Sequence, residues 1–311
     1  MAILDQIIAG DVLAISRFIR SVDDGDPAAE KVLKELFKLS GKGQIIGVTG
    51  TAGAGKSTLT SLIISHYRKA GQSVGVIAVD PTSPFSGGAI LGDRIRMGEH
   101  NADPGVFIKS LATRGAFGGL SKSVVDIVHV LEAAGKDVII IETVGVGQDE
   151  IDIVRIAGLV LVVTAPGLGD DIQAIKAGLL EIADIFVVNK RDLVGADRAA
   201  RELSEAAEDK ATGRQKPILL TDAIRSEGMA ALFEGISAGF EKYEDKKVLS
   251  NYLKRRYRYE IELKVRDQLM EVVRDAFGKN KAFANILDDV GCGKIDPYSA
   301  VRKVLGHFSV K

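Results

Sequence analysis

Tryptophan is missing from this 311-residue chain, and aromatic residues make up only 5% of it. The core must therefore be built from Val, Ile, Leu and Ala. Cysteine occurs once, at Cys292. That excludes an internal disulfide and a thiolate metal cluster, and makes the cytosol the natural compartment. Neither sign of charge is in excess: 41 Lys and Arg against 42 Asp and Glu leave −1. No global field exists to hold nucleic acid or an anionic membrane. No apolar run approaches the length of a membrane-spanning helix. The first 21 residues lack a basic stretch, an apolar run and a small-residue cleavage site, and carry Asp5 and Asp11. They are expected to form an amphipathic helix of the mature protein rather than a targeting peptide.

What is present suits a folded globular chain, with 46% hydrophobic and 27% charged residues. At ~150 residues per domain the length allows two domains, or one large α/β domain with appendages. Residues 1–42 read as an N-terminal helical extension. Ile3, Leu4, Ile7 and Ile8 share a face, Val12, Leu13 and Ile15 begin another, and a second run starts at Asp26 and Pro27. From 43 to 242 short apolar runs alternate with helical patterns. The predicted strands are Ile45–Thr49, Val74–Val79, Val106–Ile108, Val138–Ile141, Leu159–Thr164, Ile185–Val188 and Ile218–Leu220. Being mostly β-branched and apolar on both faces, they point to a mainly parallel sheet in a three-layer α/β fold. Residues 243–311 are helical again, with Leu253, Tyr257, Ile261, Val265, Leu269 and Val272 in one stripe.

The segment from Gly50 to Ser57, GTAGAGKS, fits G-x-x-x-x-G-K-S/T between an apolar strand and a helical run that starts at Thr58. Glycines let backbone N–H groups turn inward around phosphate oxygens, and the helix N-terminus adds partial positive charge. Gly50, Gly53, Ala54, Gly55, Lys56, Ser57 and Thr58 are thus the phosphate site, with Lys56 on the β- and γ-phosphates and Ser57 on Mg2+. Asn189, Lys190 and Asp192 form N-K-x-D at the end of another strand. A carboxylate there accepts two hydrogen bonds from guanine and none from adenine, which selects GTP and GDP over ATP. Glu142 ends a third strand with Gly145 three residues on. The acid suits Mg2+ and the Gly145 N–H suits sensing of the γ-phosphate. Asp80 ends a fourth strand, and a long loop follows with Asp93, Arg94 and Arg96. Asp80 and Asp93 are metal candidates, and Asp93 and Gln148 are candidates for positioning the attacking water. Asp93 also reads as a helix N-cap, and Gln148 as a plain loop residue.

The motifs GVTGTAGAGKST, VDPTSPFSGGAILGDRIRM, SLATRGAFGG, ETVGVGQDE, GDDIQAIKAG and NKRD follow in this order. Together they closely resemble the MeaB/ArgK family of P-loop GTPases, which includes the methylmalonic aciduria type A protein. The resemblance covers nearly the whole chain. It implies a slow GTPase that serves as chaperone of an adenosylcobalamin-dependent acyl-CoA mutase, gating cofactor loading and protecting or rescuing the enzyme. Adenosylcobalamin would belong to that partner. A cobalamin adenosyltransferase is a further implied partner, and residues 243–311 would be a dimerising arm. A switch at residues 166–176 would relay nucleotide state. Where the family reads Ser-Ala near guanine, this chain has Thr221, Asp222 and Ala223, so Asp222 and Ala223 are the base-site positions whose side-chain support is in question.

Three rival classes compete with this reading, and the first shares the fold class. A metal-delivering GTPase needs a Cys/His cluster, whereas His66, His100, His129 and His307 are scattered. A small-molecule kinase is the second. The third is an RNA-binding targeting GTPase, which would rest on Lys254, Arg255, Arg256, Tyr257 and Arg258. That run reads more simply as a solvated helix face.

Overall fold

Val- and Ile-rich runs become strands because β-branched side chains fit a pleated surface, and runs apolar on both faces need cover on both sides. The computed structural model describes residues 2–80, 98–112, 122–143, 149–167, 177–209, 214–279 and 281–307. Within them the runs form β1 (Gln44–Gly50), β2 (Val74–Asp80), β3 (Val106–Ala112), β4 (Val138–Thr143), β5 (Leu159–Thr164) and β6 (Ile185–Val188). A short antiparallel pair follows, β7 (Glu208–Asp209) with β8 (Arg214–Gln215), and then β9 (Ile218–Leu220). The main sheet has the order β3-β2-β4-β1-β5-β6-β9, and every pairing in it is parallel. All seven sequence-predicted strands lie inside it. β3 runs on to Ala112 because it is an edge strand, where Lys109 and Ser110 are tolerated half-buried.

Among the described residues the helices are α1 (Ile3–Ile8), α2 (Val12–Asp23), α3 (Ala29–Phe37), α4 (Lys56–Lys69), α5 (Lys122–Ala133) and α6 (Asp149–Ile156). They continue as α7 (Ala177–Ile182), α8 (Ala196–Ala206), α9 (Met229–Glu241), α10 (Lys246–Lys279), α11 (Lys281–Gly291) and α12 (Pro297–His307). Leu59, Ile63 and Ile64 of α4 join Ile46 and Val48 of β1, Ile140 of β4 and Leu161 and Val163 of β5 in one buried cluster. Each such side chain contributes about 1.5–3 kcal/mol by leaving water. This packing seats the first turn of α4 directly beyond the carboxyl end of β1.

The N-terminal section differs from a single amphipathic helix. Gly10 sits at φ 77° and Asp11 accepts hydrogen bonds from the Leu13 and Ala14 N–H groups, so the chain stops α1 and caps a new helix. The buried face of α2 is Ala14, Ile15, Phe18, Ile19 and Val22, which leaves Val12 and Leu13 exposed.

Two compact units divide the chain, Met1–Tyr257 and Arg258–Lys311, and α10 runs through the boundary. In the first, the start of α10 is tied down by its polar groups. Tyr252 donates its hydroxyl proton to the Ile156 carbonyl at 2.8 Å. Arg256 reaches Glu132 of α5 with both terminal nitrogens, at 3.2 and 2.8 Å. Arg256 is 1% exposed, which corrects the expectation that the whole basic run is solvated. Burial alone would lower its pKa, and the Glu132 carboxylate reverses this and raises it. In the second unit Phe277 and His307 both pack against Phe283, while Ile261, Val265, Leu269 and Val272 are exposed.

Candidate nucleotide site

Parallel strands bring their carboxyl ends to one edge, and the ligand crevice of an open α/β sheet lies there. Gly50 ends β1, Glu142 lies one residue from the end of β4, Asp80 ends β2, and Asn189 and Thr221 directly follow β6 and β9. The register sets Glu142 beside Val48 on one side and Ala78 on the other.

The phosphate loop follows from its glycines. Gly50 has φ 127°, and a side chain there would collide with the Val163 backbone. Gly55 has φ 89°, and a Cβ would lie 2.5 Å from Asn189 Nδ2. The N-cap of α4 is Gly55, which has no side chain to cap it, and a helix N-terminus favours an anion. Lys56 is 7% exposed and donates to the Gly50 and Thr51 carbonyl oxygens, 3.0 Å from each. Its ammonium therefore already lies over the loop. Thr58 is exposed at the same helix end.

Ser57 donates to Glu142 Oε1 at 2.7 Å, and Thr60 donates to Glu142 Oε2 at 2.7 Å. The sequence-predicted metal pair Ser57 and Glu142 is thus brought together, with the carboxylate 3% exposed. Hard oxygen donors of this kind suit Mg2+, which takes one or two protein ligands and fills its shell with phosphate and water. Among the described residues no group of three or more His, Cys, Asp or Glu side chains is arranged to hold a metal.

Asn189 links three loops. Its Nδ2 donates to the Ala54 carbonyl at 2.8 Å, and its Oδ1 accepts from Thr221 Oγ1 and from the Ala223 N–H, each at 3.1 Å. The described hydrogen bonds of its amide thus tie the phosphate loop to the base loop. Lys190 stands at φ 56°, in the left-handed region. Asp192 is exposed, with its carboxylate 3.4 Å from Arg225 Nη1. Asp222 turns back on its own loop. It accepts from the Ile224 and Arg225 N–H groups at 2.9 and 3.1 Å and from Arg225 Nη1 at 2.9 Å. The Arg225 N–H, opposed by burial and helped by the Ile224 N–H and the Arg225 charge, holds its carboxyl below the usual range. The chain thus supports this loop through Thr221, Asp222 and Arg225 in place of a Ser-Ala pair.

Asp93, Gly145, Gln148 and residues 168–176 lie outside the described residues, as does the side chain of Asp80. Thr60 and Arg225 were missed in the sequence. Thr60 carried a signal, as a hydroxyl about one turn after Ser57 on the same helix. Arg225 carried none toward Asp192, which lies on another loop; only its pairing with Asp222, three residues earlier, is local.

The family model described as methylmalonyl Co-A mutase-associated GTPase MeaB matches residues 15–278. A Pyrococcus abyssi protein named as a GTPase is 46% identical over 311 residues, covering 97% of this chain and 95% of that one. A fused isobutyryl-CoA mutase of Cupriavidus metallidurans is 36% identical over 245 residues, 75% of this chain and 22% of that protein. The crystal structure of a LAO/AO transport system kinase has the same fold, with TM-score 0.70 and 24% identity over 99% of this chain and 97% of that one.

Proposed function

The chain belongs to the MeaB family of mutase-associated GTPases, and we propose that it is a Mg2+-dependent GTP hydrolase. On this proposal it serves as G-protein chaperone to an adenosylcobalamin-dependent acyl-CoA mutase, methylmalonyl-CoA mutase or a close relative, gating cofactor loading and protecting or reactivating that enzyme. The observation that carries the hydrolase is the Ser57–Glu142 pair at the mouth of the phosphate loop, joined through Asn189 to the base loop. The mutase is supported by the relative in which such a domain is fused to isobutyryl-CoA mutase.

Backbone N–H groups of the phosphate loop and of the α4 N-terminus would hold the phosphates, with Lys56 moving from the Gly50 and Thr51 carbonyls to the β- and γ-oxygens. Ser57 and Glu142, with Asp80 and Asp93 as further candidates, would hold Mg2+, which when bound offsets charge on the phosphates. Asp192 would accept the guanine N1–H and amino protons. Gln148 or Asp93 would align a water whose oxygen bonds to the γ-phosphorus as the bridging oxygen leaves with GDP. The exposed stripe from Ile261 to Val272 would be covered in a homodimer. Residues 166–176 would couple nucleotide state to the mutase, and a cobalamin adenosyltransferase is a second partner to assay. We place the protein in the cytoplasm, without nucleic-acid or membrane partners; among the described residues no helix is long and apolar enough to cross a membrane.

Purified acyl-CoA mutase added to the protein should raise GTP turnover, and the two should co-purify with a GTP analogue. By linkage a partner that prefers one nucleotide state must shift nucleotide affinity. Turnover and affinity unchanged by every acyl-CoA mutase of the host would remove the chaperone role while leaving the GTPase.

A further inference from the structure

Glu142 is a buried carboxylate, and its two oxygens are held by two different turns of α4. Ser57 donates to Oε1 and Thr60 to Oε2, at 2.7 Å each. Thr60 is 0% exposed. A hydroxyl that deep in a helix interior usually bonds back to its own helix carbonyl, and a valine would fill the place at less desolvation cost. Here the hydroxyl is spent across the layer, on β4. Charge-assisted hydrogen bonds to carboxylates are short and directional. These two bonds hold both oxygens, and rotation about the last torsion of the side chain breaks one or the other.

We propose that Thr60 is a positioning residue for the metal site: it locks the Glu142 carboxylate so that Oε1 stays on Ser57. This rests on the Mg2+-dependent reading given above and names a residue that makes it work. A hydroxyl can give a lone pair to a cation and its proton to a carboxylate at once, so the Ser57–Glu142 bond is compatible with a metal on Ser57. Thr60 then acts only through Glu142, as hydrogen-bond partners of ligating carboxylates do elsewhere.

Binding of fluorescent N-methylanthraniloyl-GDP to the full chain, titrated with Mg2+ and repeated in chelator, tests this without relying on turnover. Wild type should bind GDP more tightly as Mg2+ is added. Thr60→Val should need roughly tenfold more Mg2+ for the same effect, with affinity in chelator unchanged. Thr60→Ser should restore the wild-type titration. Glu142→Gln should also lose the Mg2+ effect, and adding Thr60→Val to it should cost nothing more. Should Thr60→Val fail to fold, Thr60→Cys, with a weakly donating thiol of similar size, carries the same expectation. A wild-type Mg2+ titration in Thr60→Val, or in Thr60→Cys where that variant stands in, overturns the proposal. So do additive losses in the double variant. Loss in Glu142→Gln without loss at Thr60 removes this inference alone. A wild type indifferent to Mg2+ removes the metal reading and this inference with it.

Discussion

Asp222 shows how a single side chain can shape a loop through the groups of that same loop. Its carboxylate gathers two backbone N–H groups and the Arg225 guanidinium, while its own backbone pairs in both directions with Glu227. This closes the turn that presents the Ala223 N–H to Asn189. The folded carboxyl titrates below its ordinary value. Its contribution to stability is therefore complete above the unfolded pKa of about 3.9 and is lost as pH falls through the lowered folded value. The melting temperature of Asp222→Ala should trail wild type by a constant margin above about pH 5. The margin should shrink on further acidification. Thermal melts of both proteins across that range check it, and a margin that grows in acid would contradict the assignment.

Individual elements differ in how plainly the sequence announces them. The strands were legible because β-branched runs have few other uses in a chain of this composition. The phosphate loop was legible because Gly50 and Gly55 occupy backbone conformations that other residues rarely adopt. The break between α1 and α2 was missed although Gly10 and Asp11 mark it. The first 21 residues read as one amphipathic helix, although the face of Ile3, Leu4, Ile7 and Ile8 gives way to another at Val12. Arg256 could not be read at all, since its partner Glu132 lies 124 residues earlier, on α5. That pair joins α10 to the sheet-covering helices and is almost fully buried. Arg256→Met should destabilise the protein by about 3–5 kcal/mol, because it strands the Glu132 charge. Arg256→Met with Glu132→Leu should recover most of the loss. Denaturant unfolding of the three proteins measures this, and equal stability of wild type and the single variant would show that the pair does not anchor α10.

At the scale of the whole molecule, apolar surface on α10 is the feature that needs a partner. Leu253 and Tyr257 are half-buried in the first unit, whereas Ile261, Val265, Leu269 and Val272 are exposed in the second. Tyr252 and Arg256 tie down the start of α10 within the first unit, so placing acidic residues in the stripe is a cleaner probe than truncation near Tyr243. Sedimentation should show a dimer at micromolar concentration for the wild type and a monomer for Val265→Glu with Leu269→Glu. A wild-type monomer under those conditions would leave the stripe without the proposed partner.

The central claim is that this edge of the sheet reads guanine and holds its phosphates. Calorimetric titration of GDP and ADP into the protein with Mg2+, and into Asp192→Asn, tests it most directly. GDP should bind and ADP should bind far more weakly, because adenine offers no donor pair to Asp192. In Asp192→Asn, GDP affinity should fall and xanthosine diphosphate should take its place, since its 2-carbonyl accepts the new amide donor. Equal binding of GDP and ADP by the wild type would contradict the account.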